Sequence, residues 1–284
     1  MSLFAPTLLH FLTSSLPITY PGPPPHHLPL TTNTHRSSIK YTLLLTPPSN
    51  VEETILTHNT LPTTHGILVY YPIHSTAQDT YLANLVSPTK DVEGLSHLYL
   101  SNMYANTRYL DPPFNLKKSI LPCTPLALIK ILEFLQLYSP HLPQGNRLFG
   151  HKILILNRSE VVGRPLAALL ANDGATVYSA DVSGLQQFTR GQGIRKQRHE
   201  VLELPGVKME EVVPQCDVVI TGVPGEGFKF PCGLLREGAV CVNFSTEKVC
   251  FNLVISRLGR VTWMSSLPLL PREDMCVCTS VPLR

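Results

Sequence analysis

The stretch ILILNRSEVVGRPLAALLANDGATVYSAD, residues 153–181, decides the fold of the chain. An apolar run, a polar turn, an amphipathic segment and a second apolar run predict a strand–turn–helix–strand unit. Within a parallel sheet, the first turn of such a unit commonly binds a dinucleotide. Here that turn, Asn157 to Gly163, holds one glycine, whereas the common G-x-G-x-x-G fingerprint has three.

The composition is typical of a globular protein. The 284 residues provide room for two domains of ordinary size. The net charge of +3 is too small to indicate a nucleic-acid or membrane partner, and we expect neither. Apolar runs stay well short of the roughly 20 residues that a membrane span requires.

The cysteine pattern indicates neither a disulfide framework nor a zinc site. There are seven cysteines, an odd number, and none forms C-x-x-C. Histidine pairs at zinc-ligand spacing are also missing from the sequence. We predict reduced thiols in a cytoplasmic protein, and no metal.

The two ends differ in composition from the middle. Residues 1–40 contain no Asp or Glu and many prolines, which predicts a disordered head. A transit peptide is an alternative, although Arg36 is the only arginine of this segment. The break SPHLPQGNRLFGH near residue 140 separates a first domain, 41–140, from a second, 141–250. Residues 251–284 form an atypical tail whose prolines prevent a long helix.

The periodicity between these ends predicts an α/β protein. VEETILTHN favours a short helix and HGILVYYPI a buried strand. TPLALIKILEFLQLY predicts a helix with Thr124 as N-cap and Pro125 as first residue, and with Leu128, Leu132 and Leu135 on one face. CDVVITGVP and GAVCVNFS predict further strands. We expect a Rossmann-like parallel-sheet domain for a dinucleotide and a smaller α/β substrate domain.

Polar residues and glycines follow the predicted parallel strands, at the edge where such sheets bind ligands. Arg158 can pair with a phosphate, and Ser159 lies at the start of a helix that attracts anions. Asp181 is placed to accept a hydrogen bond from a ribose and to repel the extra phosphate of NADP, which favours NAD. Considered singly, each residue has an ordinary explanation as a turn or surface residue.

Four motifs in register resemble the methylenetetrahydrofolate dehydrogenase/cyclohydrolase family. NRSEVVGRPLAALLANDGATV is similar to its nucleotide loop, whose usual form is G-R-S-x-x-V-G-x-P. GILVYYP (66–72), KDVEG (90–94) and LPCTPLALIKILE (121–133) match three further family motifs in order and spacing. Asn157, Tyr70 and Glu93 resemble the fungal NAD-dependent, monofunctional branch.

The resemblance implies a role for each matched residue. On the NAD side, Arg158, Ser159 and Gly163 would line the phosphates, and Asp181 with Val182 would meet the adenosine ribose. The remaining cofactor residues would be Thr221, Gly222, Val223, Asn243, Ser245 and Thr246. On the folate side, Tyr70, Glu93, Pro122 and Cys123 would hold the pterin, with Tyr70, Glu93 and Cys123 as the catalytic candidates. Asp91 would anchor the turn that presents Glu93. A plain helix start is the alternative explanation for residues 122–125.

The implied reaction transfers a hydride from the methylene carbon of 5,10-methylenetetrahydrofolate to carbon 4 of the nicotinamide ring. It needs no general base, because the folate's own nitrogen lone pair drives the transfer. Glu93 would orient the pterin and favour the developing positive charge. The family's Y-x-x-x-K motif is missing from the sequence, which argues against cyclohydrolase activity. The resemblance also implies a homodimer. Because both ends depart from the family, an inactive NAD-binding or partner subunit is the alternative function.

Overall fold

The chain divides into two compact units. The computed structural model describes residues 7–13, 40–74, 76–190, 198–223, 228, 230–245, 261–262 and 276–279. The first unit comprises Met1–Asn102 and Arg108–Cys123, and the second comprises Met103–Thr107 and Thr124–Arg284. The division thus falls at Cys123, earlier than the predicted boundary near residue 140. The proline-containing break at 139–151 is a loop within the second unit and not a domain boundary.

The first unit is built on a three-stranded antiparallel sheet of order β2-β1-β3. Its strands are β1 (Thr7–Thr13), β2 (Lys40–Thr46) and β3 (Thr64–Val69). The helices are α1 (Val51–Thr60), α2 (Thr76–Leu85) and α3 (His97–Tyr104), the last of which ends among residues of the second unit. The core of the first unit consists of Val51, Ile55, Ile67, Val69, Leu82 and Val86. Apolar residues four apart on α1 thus face the buried strand that the sequence predicted.

Strand β1 corrects the prediction of a disordered head. Thr7–Thr13 pairs with β2 from Thr7↔Thr46 to Thr13↔Lys40, and it also pairs with β3. The prediction was wrong here because the proline content was averaged over 40 residues, whereas TLLHFLT itself contains no proline. The rest of the predicted head lies outside the described residues.

The second unit contains an eight-stranded sheet of order β10-β11-β9-β8-β4-β5-β6-β7. Its centre consists of β4 (Lys152–Leu156), β5 (Thr176–Asp181), β8 (Val218–Thr221) and β9 (Val240–Asn243), paired in parallel as predicted. Its edges are antiparallel: β6 (Gly184–Thr189), β7 (Glu200–Glu203), β10 (Val261–Thr262) and β11 (Cys276–Thr279). The two residues between β5 and β6 permit only a hairpin, because a parallel crossover needs a dozen or more.

The described residues of this second part of the chain include the helices α4 (Cys123–Phe134), α5 (Gly163–Asn172) and α6 (Met209–Val212). Helix α4 begins at Cys123, so the prediction of Thr124 as N-cap was wrong by two residues, within the usual variation of helix ends. Of the three leucines predicted to share one face, Leu128 and Leu132 are buried, and Leu135 lies beyond the end of the helix. Across the described residues, no helix combines the length and apolar character needed to cross a bilayer.

The described part of the predicted tail is extended. Strand β11 pairs antiparallel with β9, and β10 pairs with β11. The sequence predicted only that a long helix is excluded after residue 250. The other residues of the tail lie outside the described part of the chain.

Candidate active site

The carboxyl ends of the four central strands of the second unit lie at one edge of the sheet. Leu156 is in register with Ala180 of β5 and with Thr221 of β8, and Thr221 is in register with Asn243 of β9. The polar residues predicted to bind a cofactor follow directly from these ends. The structure therefore brings them together at the edge where parallel sheets bind ligands.

The turn after β4 depends on Asn157. This residue has a φ of 93°, in the left-handed region that Gly adopts freely and Asn tolerates better than most residues. Its Oδ1 accepts the Ser159 N–H at 2.8 Å, and its Nδ2 donates to the Gly222 carbonyl at 2.7 Å. The Asn157 amide thus joins the turn after β4 to the turn after β8. The sequence indicated only that Asn replaces the family's Gly at this position.

Gly163 is required because helix α5 begins against the backbone of the preceding turn. A Cβ at this position would lie 1.9 Å from the Asn157 carbonyl oxygen. Ser159 Oγ accepts the N–H groups of Val162 and Gly163, each at 3.3 Å. The hydroxyl thereby satisfies two N-terminal donors of the helix and can still donate its own hydrogen to an anion.

Asp181 ends β5, as predicted, and its carboxylate is oriented by backbone groups. Oδ2 accepts the Arg158 N–H at 3.1 Å, and Oδ1 accepts the Val182 N–H at 2.6 Å. Both Asp181 and Val182 are exposed. A carboxylate with about four lone-pair positions can accept further hydrogen bonds from ribose hydroxyls.

The Arg158 side chain is engaged by the β5–β6 hairpin. Its guanidinium nitrogens donate to Ser179, Ser183 and Gly184. The sequence prediction placed this side chain on the cofactor phosphates. In the structure the guanidinium instead contacts residues of the hairpin. Only the backbone N–H of Arg158 points to the predicted ribose acceptor, Asp181.

A second polar cluster joins the ends of β8 and β9. Thr221 Oγ1 donates to Asn243 Oδ1 at 3.0 Å, and both residues are buried. The Ser245 N–H and hydroxyl reach the same oxygen at 3.2 and 2.9 Å. Three predicted cofactor residues therefore form one hydrogen-bonded group.

The turn after β8 is covered by an aromatic ring that the sequence analysis missed. A Cβ at Gly222 would lie 1.9 Å from Cζ of Phe244, so the ring packs directly on the glycine backbone. Val223, the next predicted residue, is half-buried against the apolar core. Nothing local in the sequence indicates this contact, because Phe244 belongs to another strand end. Thr246, also predicted, lies outside the described residues.

In the first unit, the KDVEG turn is organised by Asp91. The side chain is only 4% exposed. Its Oδ1 accepts the N–H groups of Glu93 and Gly94 at 3.1 and 2.8 Å, and Oδ2 accepts that of Ser96 at 3.0 Å. Three charge-assisted bonds to backbone donors fix the turn and satisfy the buried carboxylate.

Lys90 attaches this turn to the end of helix α1. Its ammonium donates to the carbonyls of His58, Asn59 and Leu61 at 2.7–2.8 Å. A cation at a helix C-terminus also interacts favourably with the helix dipole. Lys90 and Asp91 therefore hold opposite sides of the turn that carries Glu93.

The protonation of Glu93, in the folate-side cluster, is strongly altered by its surroundings. Its Oε2 accepts the Val69 N–H at 2.9 Å. Burial raises the pKa of Glu93 to about 7; the Val69 hydrogen bond opposes this shift and the Asp91 charge adds to it. A carboxyl group with such a pKa exchanges between its neutral and ionised forms near neutral pH.

The other predicted folate-side residues surround Glu93. The Cys123 N–H donates to the Glu93 carbonyl at 3.0 Å, and Pro122 beside it is buried. Tyr70 follows Val69 directly and is 47% exposed. Burial raises the pKa of Tyr70, and the charges of Glu93 and Cys123 raise it further, so the phenol is neutral. The structure thus groups Tyr70, Glu93, Pro122 and Cys123 as predicted.

Metal ligation finds no support in the described residues, where no three His, Cys, Asp or Glu side chains form a group able to hold an ion. Four cysteines of the described part of the chain, Cys123, Cys216, Cys232 and Cys241, form no disulfide.

A parallel sheet whose carboxyl edge combines a helix N-terminus with a ribose-type carboxylate defines the Rossmann-like dinucleotide-binding class. The chain is 50% identical over 246 residues to methylenetetrahydrofolate dehydrogenase [NAD(+)] of Schizosaccharomyces pombe, covering 86% of this chain and 75% of the relative. It is 55% identical over 202 residues to the Saccharomyces cerevisiae protein of the same name, covering 70% and 62%. The chain belongs to the NAD-dependent methylenetetrahydrofolate dehydrogenase family.

A solved structure agrees with this assignment. The structure of the NAD-dependent 5,10-methylenetetrahydrofolate dehydrogenase from S. cerevisiae matches with a TM-score of 0.68 at 51% identity, over 73% of this chain and 66% of that one. The chain therefore spans 62–75% of the length of these relatives. No family model matches the chain.

Proposed function

We propose that the chain catalyses the NAD-dependent oxidation of 5,10-methylenetetrahydrofolate to 5,10-methenyltetrahydrofolate. The observation that carries the proposal is the Glu93 carboxyl group, held beside Tyr70 and Cys123 by the Asp91 turn. The family relationship supplies the substrate and the cofactor, because the relatives bear the name of this activity.

The residues at the sheet edge fit NAD. The Ser159 hydroxyl provides a hydrogen-bond donor for a phosphate oxygen at the positive end of the α5 dipole, and Asp181 provides an acceptor for ribose hydroxyls. The Thr221–Asn243–Ser245 group follows the neighbouring strands, where we place the nicotinamide half. When bound, NAD supplies the carbon that accepts the hydride.

On the folate side, the protein orients the pterin and favours positive charge. We assign Glu93 Oε1 to the pterin, since the Val69 N–H holds the other oxygen. In its ionised form this carboxylate stabilises the cation that forms as hydride leaves the methylene carbon. The neutral Tyr70 phenol can donate a hydrogen bond, and Pro122 and Cys123 provide a surface for the ring.

We propose that the chain lacks cyclohydrolase activity. Tyr70 stands where the bifunctional relatives carry Gln, and the sequence contains no Y-x-x-x-K motif. A phenol of raised pKa is a poor base for activating water. The expected result is that methenyltetrahydrofolate hydrolyses at the buffer rate in the presence of the protein.

The test of the proposed function combines turnover with binding. Purified protein, NAD and methylenetetrahydrofolate should yield NADH and methenyl product, followed by absorbance, and NAD alone should raise the melting temperature. Stabilisation by NAD without turnover would instead support the second candidate, an inactive binding subunit. That candidate is favoured only by the departures of both ends from the family.

The cofactor preference should depend on Asp181. In D181S, we expect the ratio of kcat/KM for NAD to that for NADP to fall by at least about tenfold, because the variant loses a ribose acceptor and a charge that repels the 2′-phosphate. E160Q is the matched control: it removes an exposed carboxylate from the neighbouring turn and should leave the ratio unchanged. An unaltered ratio in D181S would remove Asp181 from this role.

We further propose a cytoplasmic homodimer. Cys123, Cys216, Cys232 and Cys241 form no disulfide, which is compatible with a reducing compartment, and the resemblance to the family favours a dimer. Sedimentation of the purified chain should give twice the monomer mass of 31.5 kDa.

A further inference from the structure

We propose that Arg158 is a positioning residue that locks the β5–β6 hairpin and thereby fixes the ribose-binding carboxylate of Asp181. Its guanidinium is not a ligand of the cofactor phosphates. This inference rests on the proposed NAD site, and it changes the role that sequence resemblance gives to the arginine.

The contacts of the guanidinium carry the inference. Nη2 donates to the carbonyl oxygens of Ser179 and Gly184 at 2.6 and 2.7 Å. Nη1 donates to Ser183 Oγ at 3.0 Å, and Nε donates to Ser179 Oγ at 3.3 Å. These four bonds use four of the five N–H donors of the group. All four acceptors belong to the hairpin.

The bonded positions show what the side chain holds together. Ser179 is paired with Gln186 and Asp181 with Gly184, so Ser179 and Gly184 are not partners in the ladder. The guanidinium bridges them, and it thereby connects the two strands inside the turn. The backbone N–H of Arg158 adds the bond to Asp181 Oδ2. One residue of the turn after β4 therefore orients both the hairpin and its carboxylate.

The shape of the guanidinium allows a positioning role to be distinguished from binding of a phosphate by charge. A planar guanidinium can donate to several acceptors in a fixed fork, whereas a lysine ammonium offers a single compact charge. Lysine binds phosphate well but cannot span the two strands of the hairpin in this way. If Arg158 acts by position, lysine cannot replace it; if it acts by charge on a phosphate, lysine can do so in large part.

The experiment compares R158K and R158Q by binding and by hydrogen exchange. Adenosine and ADP are titrated by ligand-observed NMR, because only ADP carries phosphates while both carry the ribose. We expect each variant to bind both ligands about tenfold more weakly than the wild-type protein does. Within each variant, the loss for adenosine should equal the loss for ADP. We also expect faster amide exchange over residues 181–188 in the ligand-free protein, because the hairpin loses its clamp.

R164Q is the control for charge. Arg164 lies one residue into α5, its side chain is 41% exposed, and it pairs with Glu160 at 2.7 Å. The R164Q variant should leave amide hydrogen exchange in the hairpin unchanged. The inference is overturned if R158K binds adenosine and ADP with wild-type affinity, or if R158Q weakens the binding of ADP at least tenfold more than that of adenosine. It is also overturned if amide exchange in the hairpin is the same in the variants as in the wild-type protein. If the wild-type protein binds neither NAD nor these ligands, the proposed function fails, and hairpin exchange alone then decides whether Arg158 is a clamp.

Discussion

Replacing Gly163 with alanine is expected to lower the free energy of unfolding by about 3 kcal/mol or more. The new Cβ would lie 1.9 Å from the Asn157 carbonyl oxygen and 2.8 Å from its carbonyl carbon. Both are backbone atoms of the turn that leads into α5, so the clash can be relieved only by moving the helix away from that turn. Chemical denaturation monitored by circular dichroism would measure the loss.

Gly233 provides the matched control for that experiment. A Cβ at this position would meet nothing within 4 Å. G233A should therefore change the free energy of unfolding by no more than about 0.5 kcal/mol. Equal stability of G163A and G233A would show that the turn after β4 does not close on the helix as described.

Replacing Glu93 with glutamine is expected to lower kcat/KM for methylenetetrahydrofolate about 100-fold. The amide keeps the shape of the side chain but removes the negative charge that favours the cationic product. Because burial raises the pKa of Glu93 to about 7, the ionised fraction grows as the pH rises from 6 to 8. The wild-type rate should therefore rise over this range and level off above it, whereas the E93Q rate should not change with pH on this account.

The control is E133Q, which removes a carboxylate that lies on α4 and pairs with Lys130. Its rate and its pH profile should match those of the wild-type protein. A rising limb that persists in E93Q would assign the titration to another group and would remove Glu93 from the role of charge stabiliser.

The parallel centre of the second unit was predictable because its signals are local. Apolar runs define β4 and β5, and Asp181, where the second run was predicted to end, is the last residue of β5 in the structure. The grouping of Tyr70, Glu93 and Cys123 was not visible in the spacing of the chain. It was predicted because four motifs in register resemble a family whose site is known.

The contacts that give the site its shape could not be predicted. Asn157 bonds to Gly222, 65 positions along the chain, and Lys90 bonds to carbonyls about 30 positions before it. The direction of the Arg158 side chain depends on the hairpin turn at Ser183 and Gly184, which forms only when β6 pairs with β5. Such contacts follow from tertiary pairing, and residue type alone does not determine them.

Strand β1 shows the same limit for secondary structure. TLLHFLT is a short apolar segment within a proline-rich head, and its pairing with β2 and β3 joins residues 27 or more positions apart. Composition describes the head as a whole, whereas strand formation depends on the seven residues that pair. The antiparallel strands at the edges of the larger sheet were missed for a related reason, because two-residue connections and short strands leave little periodicity to detect.

The central claim is that this chain moves a hydride from a folate methylene group to NAD. The most direct measurement uses 5,10-methylenetetrahydrofolate carrying two deuterium atoms on the methylene carbon, with mass spectrometry of the nicotinamide product. We predict that every molecule of reduced cofactor carries one deuterium in its ring. Reduced cofactor without deuterium, or no reduced cofactor in the presence of both ligands, would contradict the account.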